Sequence, residues 1–172
     1  MVSRRKTKKA LHSQAASRKA SSGITAYRIG DSRFPLFDGR GAMLEGARWN
    51  SPGRPAIDAA LTQACAMLEI LAYANTGKVP KHHKLMTIDI PSTVAVEQID
   101  LSQVPGWDDR NYQKSRLYGD QWLTEQRSVA LIVPSVIASY DYNIVINPLH
   151  PDISKLTISL PEDIHWDERL FR

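Results

Sequence analysis

From Ile24 the chain alternates apolar and polar positions, Ile24-Thr25-Ala26-Tyr27-Arg28-Ile29, and this predicts a strand that Gly30 and Asp31 close. No period survives between Phe34 and Pro55. Pro35, Gly39, Gly41, Gly46, Pro52, Gly53 and Pro55 punctuate that stretch too densely for any long regular element. A loop of such length that still carries Phe37, Arg40, Arg48, Trp49 and Arg54 is expected to be ordered and to form part of a binding site. Helical spacing then takes over. Leu61, Ala64, Leu68, Leu71 and Ala72 would make the core face of a helix from Ala59 to about Asn75, with Asp58 as its N-cap and Gly77 as its stop. Beyond Pro80 the pattern predicts strands at Lys84 to Ile90, Val94 to Ile99, Ser128 to Val133, Tyr142 to Asn147 and Lys155 to Leu160. A second helix is expected within Asp109 to Gln126, with Leu117 and Trp122 facing inward. One well-marked helix among short strands predicts an α+β domain built on a curved antiparallel or mixed sheet with a few flanking helices.

Composition and charge narrow this picture. A chain of 172 residues suits one core. It divides into a flexible basic tail, 1–22, and one domain, 23–172. With 42% hydrophobic and 23% charged residues it reads as a soluble globular protein, and no apolar run approaches the roughly 20 residues of a membrane span. Leu11, His12, Ser13 and Gln14 follow the basic start where a secretory signal would have an apolar stretch, so the expected location is the cytoplasm. A lone Cys65 makes no internal disulfide, and with scattered histidines it makes no metal-ligand set, so no metal is expected. The net charge of +4 suggests nucleic acid, but seven of the 22 basic residues precede Gly23 with no acidic partner, leaving 15 against 18 acidic residues in the rest. The Ser- and Ala-rich tail has too little apolar surface to offset the entropy of ordering, and it reads as a solubilising extension before a nucleic-acid arm.

Four features could carry chemistry. Glu69 lies inside the most hydrophobic helical stretch with no basic residue three or four positions away. At 100° per residue, Asp58, Thr62, Cys65 and Glu69 fall on one stripe at the border of the apolar face, where a carboxylate would look into a cleft; a border glutamate that simply reaches solvent fits the same pattern. Arg28 sits mid-strand among apolar residues and needs an anion or acceptors if it points inward. Arg48-Trp49-Asn50 combines a fork-shaped cation, a flat ring and an amide, a set suited to a phosphate, a base and a sugar, or equally to a buried tryptophan anchor. Val133-Pro134-Ser135 could present a hydroxyl at a strand end, or only a turn. None of the five histidines has a Ser, Cys or second His at a recognisable spacing, so nothing points to a hydrolytic triad.

These segments, in order, resemble the RES-domain toxins, a family named for an arginine, a glutamate and a serine. The matching stretches are Tyr27-Arg28-Ile29, Gly46-Ala47-Arg48-Trp49-Asn50-Ser51-Pro52-Gly53-Arg54-Pro55, Ala66-Met67-Leu68-Glu69-Ile70-Leu71, Val133-Pro134-Ser135 and Asn147-Pro148-Leu149-His150-Pro151. The resemblance implies an ADP-ribosyltransferase-like fold and a toxin that consumes NAD⁺ as substrate. It also implies a cognate helix-turn-helix antitoxin that blocks the active site, with nucleic acid involved only through that antitoxin. It makes Glu69, Arg28 and Ser135 the expected catalytic residues. Tyr27, Arg28, Arg48, Trp49, Asn50, Asp58, Ser135 and Asn147 become the expected NAD⁺-binding residues. One departure stands out: most of the family has tyrosine where this chain has Asp58. A second carboxylate there would orient or deprotonate a side-chain acceptor, which favours transfer of ADP-ribose to a protein over NAD⁺ hydrolysis or phosphorolysis. A ribonuclease toxin and a non-enzymatic binding module are the competing classes.

Overall fold

The protein is described by a computed structural model, which covers residues 23–74 and 80–171; the tail 1–22 and the expected helix stop at Gly77 lie outside these residues. In chain order the elements are β1 (Ile24–Asp31), α1 (Arg40–Glu45), β2 (Ile57–Ala60), α2 (Gln63–Ala74), β3 (His83–Ile90), β4 (Val96–Gln98), α3 (Gln113–Glu125), β5 (Ala130–Pro134), β6 (Tyr142–Ile146), β7 (Thr157–Ile158) and β8 (Glu162–Asp163). The strands form one curled mixed sheet in the order β4-β5-β6-β2-β1-β3-β7, with β8 also paired to β3. Only β4 and β5 run parallel, and every other pairing is antiparallel. This is the α+β architecture expected.

Alternation along the strands separates two cores. Ala26, Ile57, Ala59, Met86, Ile88, Ile144 and Ile146 share one face of the sheet and are closed over by Leu36, Val94 and Leu156. On the opposite face, Ile29 and Ala60 pack under Cys65 and Ala66 of α2, while Leu131, Val133 and Val145 pack under Trp122 and Leu123 of α3 with Trp49. Trp122 is fully buried, and its indole N–H donates to Ser128 Oγ at 2.9 Å, so its one polar atom carries no desolvation penalty.

Three expectations are corrected. Asp58 does not cap α2, because it lies in β2 opposite Val145 of β6. The cap is Thr62, whose hydroxyl accepts the Cys65 backbone N–H at 3.1 Å. The inward side of α2 is not the Leu61, Ala64, Leu68, Leu71 and Ala72 stripe: Ala64, Leu68 and Ala72 are exposed, while Cys65 and Ala66 are buried with Ile70 packed against them. Apolar residues run almost round this helix, so its own pattern does not choose a face. The sheet chooses it, through small residues that permit close approach. In α3, Leu117 is exposed, and Ser115, Gly119, Trp122 and Leu123 face inward. A Cβ on Gly119 would stand 1.8 Å from the Trp49 carbonyl oxygen, so glycine is what lets α3 lie directly on the Trp49 backbone.

Candidate active site

Because α2 turns the Cys65 side to the sheet, Glu69, one turn further on, turns inward with it. Cross-strand register lays out the floor beneath it: Tyr27 of β1 pairs with Ala60 of β2, Ala60 with Asn143 of β6, and Asn143 with Val133 of β5. Directly paired residues share a face, so Asn143 is the polar member of an otherwise apolar row on the α2 side. Ser135 stands just beyond the end of β5 on the same rim.

Glu69 Oε1 accepts two hydrogen bonds, from Ser135 Oγ at 2.9 Å and from Asn143 Nδ2 at 2.6 Å. Ser135 Oγ in turn accepts the backbone N–H groups of Ile137 at 3.2 Å and Ala138 at 3.0 Å. Those two donors occupy both hydroxyl lone pairs, and the proton is left for the carboxylate. Cys65 closes the network: its thiol donates to Asn143 Oδ1 at 3.4 Å, and burial pushes that thiol pKa up, which keeps the proton on sulfur. The start of α2 is latched to the β5–β6 connection by Thr62 Oγ1, which donates to Asp141 Oδ2 at 2.5 Å. Asn143 carried no motif and was not singled out from the sequence. Its signal was a lone amide in the apolar strand Tyr142–Ile146, the same kind of signal that marked Arg28.

Arg28 leaves β1 on the face opposite Tyr27. The β1–β2 pairing is registered at Tyr27 and Ala60, and the Arg28 guanidinium bridges the two strands' surroundings by donating through Nη1 to the Asp58 carbonyl at 2.6 Å and through Nε to the Leu36 carbonyl. Burial pulls its pKa down, opposed by Asp58 and Asp38, yet a guanidinium stays charged at any physiological pH. Asp58 is solvent-accessible on β2, opposite Val145 of β6. Loss of surrounding water pushes its carboxyl above the usual range, the Arg28 cation opposes this, and the nearby Glu69 carboxylate adds to it. Asp58 thus stands within electrostatic range of both Arg28 and Glu69.

The Arg48-Trp49-Asn50 stretch is placed elsewhere. Arg48 donates to the carbonyls of Trp107 at 3.1 Å and Asp109 at 3.2 Å and lies 4.4 Å over the Tyr112 ring. Trp49 is 4% exposed and stacks on Trp107 with ring centroids 6.2 Å apart. Asn50 is fully buried and donates to the carbonyls of Ala42 and Arg54, both at 2.8 Å. Ser51 N–H and Arg54 then fasten the loop to Asp120 of α3. Asn147 is buried too, spanning the Leu123 carbonyl and the Leu149 N–H. These four side chains serve as anchors between loops and α3, and the structure does not bring them to Glu69. A shallow depression of about 300 Å³ lined by Thr25, Asp89, Lys155 and Thr157 lies at the β1–β3 edge and shares no residue with the Glu69 network.

Several known proteins are similar to this chain. A Prs ADP-ribosylating toxin of Sphingobium sp. strain YBL2 is 34% identical over 138 residues, covering 78% of this chain and 86% of that protein. Toxin Res of Pseudomonas putida is 32% identical over 142 residues, covering 81% and 96%, and Toxin Res of Photorhabdus laumondii is 30% identical over 151 residues, covering 85% and 96%. A chain in the crystal structure of the M. tuberculosis MbcT-MbcA toxin-antitoxin complex shares the fold, with TM-score 0.69 and 19% identity over 88% of this chain and 90% of that one. The RES domain profile matches residues 25–167, a span that holds Arg28, Glu69 and Ser135, and the chain belongs to the RES domain family.

Proposed function

We propose that this protein is the toxin of a toxin-antitoxin pair, and that it cleaves the nicotinamide-ribose bond of NAD⁺ and transfers ADP-ribose to a protein. The observation that carries the reading is the fixed carboxylate: Glu69 is held through Oε1 by Ser135 and Asn143, in a family whose relatives include a protein named for ADP-ribosylation.

The chemistry needs little more than this. Nicotinamide leaves NAD⁺ as a neutral base from a pyridinium, so no acid has to protonate it, and the ribose passes through an oxocarbenium-like state. A preorganised carboxylate beside that sugar stabilises the growing positive charge without reorganising. Glu69 fills this role. Ser135 keeps it aimed, Arg28 offers its remaining N–H groups to the diphosphate, and Tyr27, half-buried on the same row as Asn143, forms a wall. Asp58 is set to orient or deprotonate an incoming side chain, which is why transfer is favoured over release to water or phosphate. Among the described histidines, His150 takes the Asp152 N–H and contacts the Gln126 carbonyl.

A toxin of this kind acts in the cytoplasm, where NAD⁺ and its targets are. On this reading the antitoxin inhibits by covering Glu69 and the groups around it, and a helix-turn-helix partner would link the pair to DNA. Incubating the purified protein with NAD⁺ labelled in the adenylate half and with cell lysate tests the reading. Labelled protein together with nicotinamide is expected. Rapid release of free ADP-ribose or ADP-ribose phosphate with no labelled protein would overturn the transfer step.

A further inference from the structure

Resting on the NAD⁺ reading, we propose that Asn143 is a positioning residue for the reaction, saturating Glu69 Oε1 together with Ser135 so that Oε2 is the single oxygen presented to the reacting sugar. A carboxylate oxygen has room for about two strong donors, and Oε1 already has the Ser135 hydroxyl and the Asn143 amide. Among the described residues no side chain or backbone N–H donates to Oε2. The two oxygens therefore do different work: one anchors the side chain, and the other keeps its lone pairs for the substrate.

The protons in the network have one consistent arrangement. Ser135 has both lone pairs filled by the N–H groups of Ile137 and Ala138. It also lies beside Cys65, but a thiol sulfur is a weak acceptor next to a carboxylate, so its proton goes to Glu69. Asn143 is half-buried in a row whose neighbours Ala60 and Val133 are apolar and buried, where an amide is costly unless both its ends are bonded. Both are: the Cys65 thiol donates to Oδ1, and that leaves Nδ2 for Glu69. Flipping the amide would set oxygen against carboxylate and leave the thiol facing an NH₂ group. The Glu69 carboxylate therefore fixes the amide orientation, and the Cys65 thiol reinforces it from the other end.

The test compares native protein with Asn143→Asp, which keeps the shape but replaces the donor. Nicotinamide release is measured from about pH 4 to about pH 9, a range that spans the titration of an aspartate at position 143, whose ordinary value of about 3.9 is raised by the like charge of the Glu69 carboxylate beside it, with melting temperature recorded for each protein. With native protein active, Asn143→Asp is expected to lose roughly a hundredfold in kcat at the alkaline end, while KM moves less than about threefold. Part of the rate should return at the acid end, where the introduced carboxyl is protonated and again donates to Oε1. A pH profile that superimposes on the native one, or a uniform loss that tracks a fallen melting temperature, would overturn the proposal. Should Asn143→Asp fold poorly, Asn143→Ser gives a second reading: a lowered kcat at near-native KM supports the proposal and a native kcat contradicts it. Native protein that releases no nicotinamide would overturn the NAD⁺ reading and this inference with it.

Discussion

Ser135 donates its hydroxyl proton to Glu69 across 66 residues of chain, at 2.9 Å, from an oxygen that two backbone N–H groups already fill. A serine so bonded is an oriented donor and a poor nucleophile. Ser135→Ala is accordingly expected to keep the fold and to lower kcat for nicotinamide release by about ten- to a hundredfold. Complete loss of turnover in a folded Ser135→Ala protein would point instead to covalent chemistry at the hydroxyl.

Asp58 makes a prediction about stability. Its carboxyl titrates above the ordinary value of 3.8 because surrounding protein penalises the charge more than Arg28 compensates it. At this site the folded chain therefore binds a proton that the unfolded chain has released, and the contribution of Asp58 to stability falls as pH rises from the ordinary carboxylate range through the raised one. Asp58→Asn should melt at a higher temperature than the native protein at neutral pH, and the difference should vanish as the solution is acidified below the ordinary carboxylate range. An Asp58→Asn protein that melts no higher than the native one at neutral pH would contradict this.

Gly119 tests the packing of α3. Its Cβ would meet backbone, the Trp49 carbonyl at 1.8 Å, and no side chain can swing away to relieve it. Gly119→Ala is expected to cost about 3 kcal/mol, the upper range for overpacking. That corresponds to roughly 6 to 12 °C in melting temperature for a chain of this size.

Thr62 serves two groups at once, the Cys65 N–H and Asp141 Oδ2. Thr62→Val keeps the shape and removes both bonds, and should cost about 1 to 2 kcal/mol in a urea titration. It should also slow nicotinamide release, since the turn of α2 it frees carries Cys65 and then Glu69.

Much of this was legible in the sequence where a local rule decides the outcome. The alternation at Ile24 to Ile29 gave β1, and the apolar runs at Lys84 to Ile90 and Tyr142 to Asn147 gave β3 and β6 to within a residue. Strand β2 is hidden in the sequence, because Ile57-Asp58-Ala59-Ala60 is too short to show a period of two and flows into helical spacing. The inward face of α2 is not legible in the sequence, because nearly every position on it is apolar and only the sheet decides between them. Arg48, Trp49, Asn50 and Asn147 belong to segments that resemble the family pattern, and sequence alone does not separate a residue that lines a cleft from one that fastens the loops around it. Asn143 went unnoticed because its meaning lies in two partners, Cys65 and Glu69, that are more than 70 residues away.

The most direct measurement is nicotinamide release from NAD⁺ by native protein and by Glu69→Gln, a substitution that keeps size and removes the charge. Native protein is expected to release nicotinamide, and Glu69→Gln, with its fold verified by its melting temperature, should be slower by about a thousandfold and no longer toxic on expression. Equal release by the two proteins, or toxicity that survives in Glu69→Gln, would contradict the assignment of Glu69 to the reacting sugar.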